Sequence, residues 1–392
     1  MLNIFFLGLI SFFTDISTEM VYPLIPLYLV SAFGATPALV GLIEGVAESL
    51  SSLLKVYSGY VSDRFQRKKA LAFTGYATGI VYKLVLLVAG SWVGILFARV
   101  IDRFGKGIRT APRDVLVSES ADKNAMGRAF GLHKALDMAG AALGILITYF
   151  LLREGFSGNY KKLFLISVIP AVLGLFMFLF VKEKRPEQRK QAERPRFWKN
   201  IKQLDGRLKL YLLVVLLFTL GNSSNVFLLL KAKAVGFNDI SVILLYFVYN
   251  LTASALSLPL GRLSDRTGRK ALLVSGYFVF AAVYFGFAFA WNRPFMVSMF
   301  VLYGVYTAMT TGAERAFVAE IAPPEWKGTM LGLQSTVAGI ALLPASAITG
   351  ALWTAFGPVV PFVFGASLSA AAALILLVFM KTSAQKGHGY PK

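Results

Sequence analysis

Ionisable side chains recur inside apolar stretches of this sequence, and their spacing is regular. Asp15 and Glu19 are four residues apart, Glu44 and Glu48 repeat the interval, and His133 and Asp137 repeat it again. Arg99, Asp102, Arg103 and Lys106 follow at i, i+3, i+4 and i+7, which on an α-helix is one polar stripe. Within the first half of the chain six acids (Asp15, Glu19, Glu44, Glu48, Asp102, Asp137) balance six bases (Lys55, Lys83, Arg99, Arg103, Lys106, Lys134), as mutual pairing requires. An acid held beside a guanidinium exchanges a proton as that neighbour moves. Buried ion pairs are poor stabilisers, so a purely structural use is the weaker explanation. Asp15, Glu19, Glu48, Arg99, Asp102, Arg103, His133 and Asp137 are therefore expected to handle protons or solute.

Other chemistries are excluded or poorly served. The chain has no cysteine, which removes disulfides, thiolate metal sites and cysteine nucleophiles. Its two histidines, His133 and His388, cannot form an imidazole-rich metal cluster. There is no nucleotide-binding glycine loop, no H-E-x-x-H and no credible Ser/His/Asp set. No metal, no cofactor and no enzymatic activity are expected.

The elements that position these charges are membrane helices. The chain is 56% hydrophobic and 15% charged over 392 residues, against roughly 25% charged in soluble domains. Apolar stretches near 20 residues long read as spans at roughly 3–32, 37–61, 69–90, 92–115, 126–152 and 161–181, then 209–234, 240–263, 270–291, 294–320, 328–354 and 358–380. The first is too long for a cleavable signal peptide and lacks a basic leader. This gives an all-α polytopic membrane protein with twelve transmembrane helices. The expected division is an N-terminal bundle over 1–181, a linker over 182–208 and a C-terminal bundle over 209–392.

The net charge of +20 does not indicate nucleic acid, because the basic residues sit in short links between spans. Arg64, Arg67, Lys68 and Lys69 lie between the second and third spans, and Arg262, Arg266, Arg269 and Lys270 between the eighth and ninth. Lys182 to Lys209 holds eleven Lys or Arg against four Asp or Glu. By the positive-inside bias these links and both termini face the cytoplasm of a cell (plasma or inner) membrane, against an anionic leaflet. Membrane lipids are thus a partner, and a monomer is expected.

The sequence also repeats. Gly59-Tyr-Val-Ser-Asp63-Arg64-Phe-Gln-Arg67-Lys68 returns as Gly261-Arg-Leu-Ser-Asp265-Arg266-Thr-Gly-Arg269-Lys270, 202 residues on. Ala111–Glu119 pairs with Gly312–Glu320, and Gly127–Leu132 with Gly328–Leu333, each 201 residues apart. One offset kept by three segments implies duplication of a six-helix unit, the two copies being pseudo-symmetric about the membrane normal.

The G-x-x-x-D-R-x-x-R-K segments resemble the loop signature of the major facilitator superfamily, a family of secondary transporters. The first copy departs from it at Val61 and Gln66; the second keeps Leu263 and Gly268. The resemblance implies a cytoplasmic gate at Gly59, Asp63, Arg64, Arg67, Gly261, Asp265, Arg266 and Arg269, latching one conformation and releasing in another. Arg103-Phe-Gly-Lys-Gly107 is similar to the family's fourth-helix motif, with Arg103 matching the arginine linked to proton transfer. Gly131, Gly140 and Gly144 resemble its antiporter glycine spacing, without the proline, which is Ile145 here.

Asp15 lies about 20 Å along its helix at 1.5 Å per residue, and Arg99 and Arg103 reach a similar depth from the opposite face. A cluster of Asp15 and Glu19 with Arg99 and Arg103 around a central cavity is therefore expected. Glu44, Lys83, Asn222, Asn225, Tyr246, Tyr249, Asn250 and Gln334 are the expected solute-facing residues. Together these imply alternating-access transport of a small organic or amphiphilic solute by proton-coupled efflux. The alternative is a proton symporter or exchanger importing a zwitterionic or acidic metabolite; a channel or intramembrane enzyme fits poorly.

Overall fold

A chain crossing lipid must satisfy each backbone N–H and C=O internally, which a helix does within one segment. The computed structural model describes residues 2–65, 68–120, 126–156, 158–183, 206–322 and 327–380. These are helical nearly throughout, with no strand among them. In chain order the helices are α1 (Leu2–Glu19), α2 (Leu24–Phe33), α3 (Pro37–Phe65), α4 (Lys68–Val88), α5 (Trp92–Ser120), α6 (Met126–Leu151) and α7 (Tyr160–Phe176), then α8 (Gly206–Gly221), α9 (Val226–Ala234), α10 (Asp239–Thr267), α11 (Arg269–Ala288), α12 (Arg293–Ile321), α13 (Lys327–Phe356) and α14 (Val359–Phe379).

Taking α1 with α2 and α8 with α9, these make twelve spans. Among the described residues eleven are long and apolar enough to cross a membrane. The exception is α5, whose Arg99, Asp102, Arg103, Lys106 and Arg109 break the apolar run. The outer surface is apolar: Val88 is 80% exposed and Leu179 70%. Side chains so exposed suit contact with lipid tails. Three spans begin with an asparagine cap, Asn159, Asn238 and Asn292 accepting from the backbone N–H of Lys162, Ser241 and Phe295.

Two expected helices are not continuous. The first span is interrupted at 20–23 and the seventh at 222–225. At the first break Pro23 supplies no N–H, and at the second Asn222-Ser-Ser-Asn225 offers side chains that compete with helical hydrogen bonds. The breaks fall at corresponding places in the two repeats, since Tyr22 shifted by 201 or 202 lands on Ser223 or Ser224. Broken helices at membrane depth are tolerated where they line a cavity.

The halves meet chiefly where α3 runs along α13. A Cβ on Gly350 would lie 2.5 Å from the Pro37 carbonyl oxygen, and one on Gly339 2.4 Å from Ser52 Cβ. Only glycine allows that approach over the length between them. A second seam joins α6 to α10, where Ser254 Oγ lies 3.8 Å from Met138 Sδ.

Candidate functional site

Between the halves lies a cavity of about 260 Å³. The first break contributes Tyr22 and the second Asn222, Ser223, Ser224 and Asn225. From α3 comes Glu48, from α10 Tyr249, from α12 Tyr303, Tyr306 and Thr307, and from α13 Leu342. The wall on the C-terminal side is tied together by its own side chains. Tyr303 donates to Asn225 Oδ1 at 2.7 Å, Asn225 Nδ2 donates to Tyr249 at 3.4 Å, and Asn222 Nδ2 donates to Tyr306 at 2.9 Å.

Behind Tyr22, in the N-terminal half, stands a ladder of charges. Arg99 makes a two-pronged contact with Glu44, Nε to Oε1 at 2.8 Å and Nη2 to Oε2 at 2.6 Å, and its Nη1 reaches Asp102 at 3.2 Å. Arg103 pairs with Glu48 at 2.6 Å and lies 3.7 Å from Asp102. The Glu44 and Arg99 side chains are each 1% exposed, whereas Glu48 keeps 28%. The Tyr22 ring, which lines the cavity, lies 5.3 Å from the Arg99 guanidinium and 5.6 Å from that of Arg103. Glu48 belongs to both structures: it is the foot of the ladder and a wall of the cavity.

The expected pairing of Asp15 and Glu19 with Arg99 and Arg103 is not what forms. The arginines take Glu44 and Glu48, because α3 packs directly on α5: Gly107 approaches so closely that a Cβ there would lie 2.5 Å from Leu54 Cβ. Asp15 instead lies beside Asp137, α1 packing on α6 there. Asp137 accepts from Ser11 at 3.0 Å and Lys134 at 2.5 Å. Glu19 accepts from Tyr246 at 3.1 Å, a contact between the halves. The buried His133 has no hydrogen-bond partner at Nε2.

Of the expected solute-facing residues, Asn222, Asn225 and Tyr249 line the cavity. Five do not. Glu44 is sealed by Arg99, Lys83 is buried and donates to the Gly79 carbonyl at 3.1 Å, and Asn250 donates to the Tyr246 carbonyl of its own helix at 2.8 Å. Tyr246 is turned to Glu19, its ring tilted against that of Tyr249, and Gln334 is buried in α13. Sequence reasoning missed Tyr22, Ser223, Ser224, Tyr303, Tyr306 and Thr307. The Gly-Asn-Ser-Ser-Asn run within an apolar span was the available signal for the second break, and Tyr303, Tyr306 and Thr307 at i, i+3, i+4 for the face of α12.

At the expected gate, Arg269 pairs with Glu320 at 3.4 Å and donates to the Ala316 carbonyl at 2.9 Å. In the first repeat Lys68 pairs with Glu119. Lys69 donates to the Val181 carbonyl at 2.6 Å, as Lys270 does to that of Met380 at 2.6 Å. Each of these ties helices within one half. Gly261 and Arg266 are exposed. Arg67 and the side chains at Gly59, Asp63, Arg64 and Asp265 lie outside the described residues.

Twelve helical spans with two broken helices facing each other across a central cavity define a polytopic membrane transporter. The sequence profile of the Major Facilitator Superfamily matches residues 7–231 and 210–391, and the chain belongs to that family. It is therefore a transporter and not an enzyme. It is 37% identical over 382 residues to an uncharacterised MFS-type transporter of Methanocaldococcus jannaschii, covering 96% of this chain and 94% of the relative. It is 22% identical over 340 residues to the multidrug resistance protein MdtH of Photorhabdus laumondii, covering 85% and 82%. A crystal structure of the nucleoside transporter NupG superposes with a TM-score of 0.79 at 13% identity, covering 98% of this chain and 100% of that one.

Proposed function

We propose that this transporter moves a small organic solute by alternating access and couples that movement to protons, exporting the solute from the cell. In this reading the halves 1–181 and 209–392 rock about the cavity, with both termini and the 182–208 linker on the cytoplasmic side of the cell membrane. The observation that carries it is the double membership of Glu48. A carboxylate that both touches the solute space and neutralises Arg103 makes solute binding and the charge state of the ladder interdependent. Asp15 and Asp137, neighbours on the packed helices α1 and α6, are the second pair of carboxyl groups this reading assigns to proton exchange. Export has support from the likeness to MdtH.

Proteoliposomes with an imposed pH gradient test this. Any solute that stabilises the purified protein should move against its own gradient, and Glu48→Gln, Asp15→Asn or Arg103→Ala should abolish that movement while downhill exchange persists. Gradient-driven transport that survives all three variants refutes the coupling. Uptake in symport is the second reading, favoured by the hydrophilic cavity wall. Reversing the gradient polarity separates it from export.

A further inference from the structure

The chemistry of the cavity wall is narrower than a polyspecific drug site needs. Surfaces that accept many apolar ligands are flexible and often rich in methionine. Here ten of the eleven lining side chains carry a hydrogen-bonding group, the eleventh is Leu342, and none is methionine. Four of the ten are tyrosines, so aromatic faces and polar atoms alternate round the same space. The volume of about 260 Å³ lies near the lower end of the span of about 300–1,000 Å³ usual for drug-sized ligands.

The hydrogen bonds within the wall state what it still offers. Tyr306 and Tyr249 each accept from an asparagine amide. Asn222 spends its amide N–H on Tyr306 and keeps its carbonyl oxygen as an acceptor. The lining therefore presents both donors and acceptors, held in place by neighbours and so fixed before a ligand arrives. The carboxylate among the lining residues, Glu48, is already matched to Arg103. An organic cation entering here would have to compete with a guanidinium for it, and an anion would meet the same carboxylate.

We propose that the solute is a small, uncharged ring compound bearing several hydroxyl groups, of pentose to nucleoside size, and not a lipophilic cation. The ring face stacks on tyrosine while its hydroxyls exchange hydrogen bonds with Tyr306, Asn222 and their neighbours. The proposal rests on the reading of this cavity as the solute site, but not on proton coupling.

The test is binding to the full-length protein in detergent micelles at one pH, with no gradient, so that it stands or falls separately from the coupling. The probes are ribose, myo-inositol and uridine on one side, and tetraphenylphosphonium, ethidium and choline on the other, with melting temperature and calorimetric affinity as readouts. At least one of the ring polyols should raise the melting temperature, and Tyr306→Phe, which deletes only an O–H, should weaken its binding about tenfold, the equivalent of about 1.4 kcal/mol. Asn222→Ala should weaken it at least as much. Stabilisation by the cations alone, stabilisation by none of the six, or polyol binding unchanged in a folded Tyr306→Phe protein would each overturn the proposal.

Discussion

Replacing Glu44 by glutamine keeps the shape of the side chain and removes one charge from the most deeply buried ion pair of the ladder. Glu44 meets Arg99 through two hydrogen bonds of 2.8 and 2.6 Å, with both side chains 1% exposed. Two unit charges about 4 Å apart attract by about 4 kcal/mol at an effective dielectric constant near 20, and breaking a buried pair typically costs about 3–5 kcal/mol. Asp102, 3.2 Å from the same guanidinium, retains part of the compensation, so the lower end applies. Glu44→Gln is expected to destabilise the protein by about 3 kcal/mol. Glu48→Gln should cost less, about 1–2 kcal/mol, since Glu48 keeps 28% of its side-chain surface and the buried Arg103 retains Asp102 at 3.7 Å. The double variant Glu44→Gln/Arg99→Met removes both charges and should be less destabilised than the sum of the single changes by at least about 2 kcal/mol. Equilibrium unfolding in mixed detergent micelles, followed by tryptophan fluorescence, reads the wild type, the single variants Glu44→Gln, Arg99→Met and Glu48→Gln, and the double variant. Equal costs for the Glu44 and Glu48 changes, or additive single changes in the cycle, would refute the reasoning that burial sets the strength of these pairs.

On the face away from the chain termini, Tyr160 donates to Asp239 at 2.6 Å and the Ala38 N–H donates to Thr354 at 3.1 Å, both between the halves. Tyr160→Phe should therefore favour opening of that face, seen as several-fold faster maleimide labelling of Asn225→Cys from that side; the chain has no other cysteine to confuse the signal. An unchanged labelling rate would show that the contact does not hold the face closed. Arg269 and Glu320 are 34% and 45% exposed, so Glu320→Gln should shift stability by less than about 1 kcal/mol in the same micelle unfolding assay. Gly140→Ala should cost about 1–3 kcal/mol by that assay, because its Cβ would sit 2.3 Å from the Phe12 carbonyl oxygen.

The number of spans, their limits to within a few residues and the repeat could all be read from the amino-acid sequence, because each is written in local composition. Spans need about 20 apolar residues whatever surrounds them, and a duplication leaves its offset in the chain. The charged stripe on α5 was legible too, since helical periodicity is a local property. Which acid meets which base was settled by the packing of helices. Glu44 and Asp15 look alike in sequence, yet α3 lies against α5 through Gly107 and brings Glu44 to Arg99, while α1 lies against α6 and brings Asp15 to Asp137. The cavity likewise came from folding: Tyr22 and Asn222 are 200 residues apart and face one space only because two broken helices meet there. Pairing of this kind depends on helix packing distances and crossing geometry, which no single helix encodes.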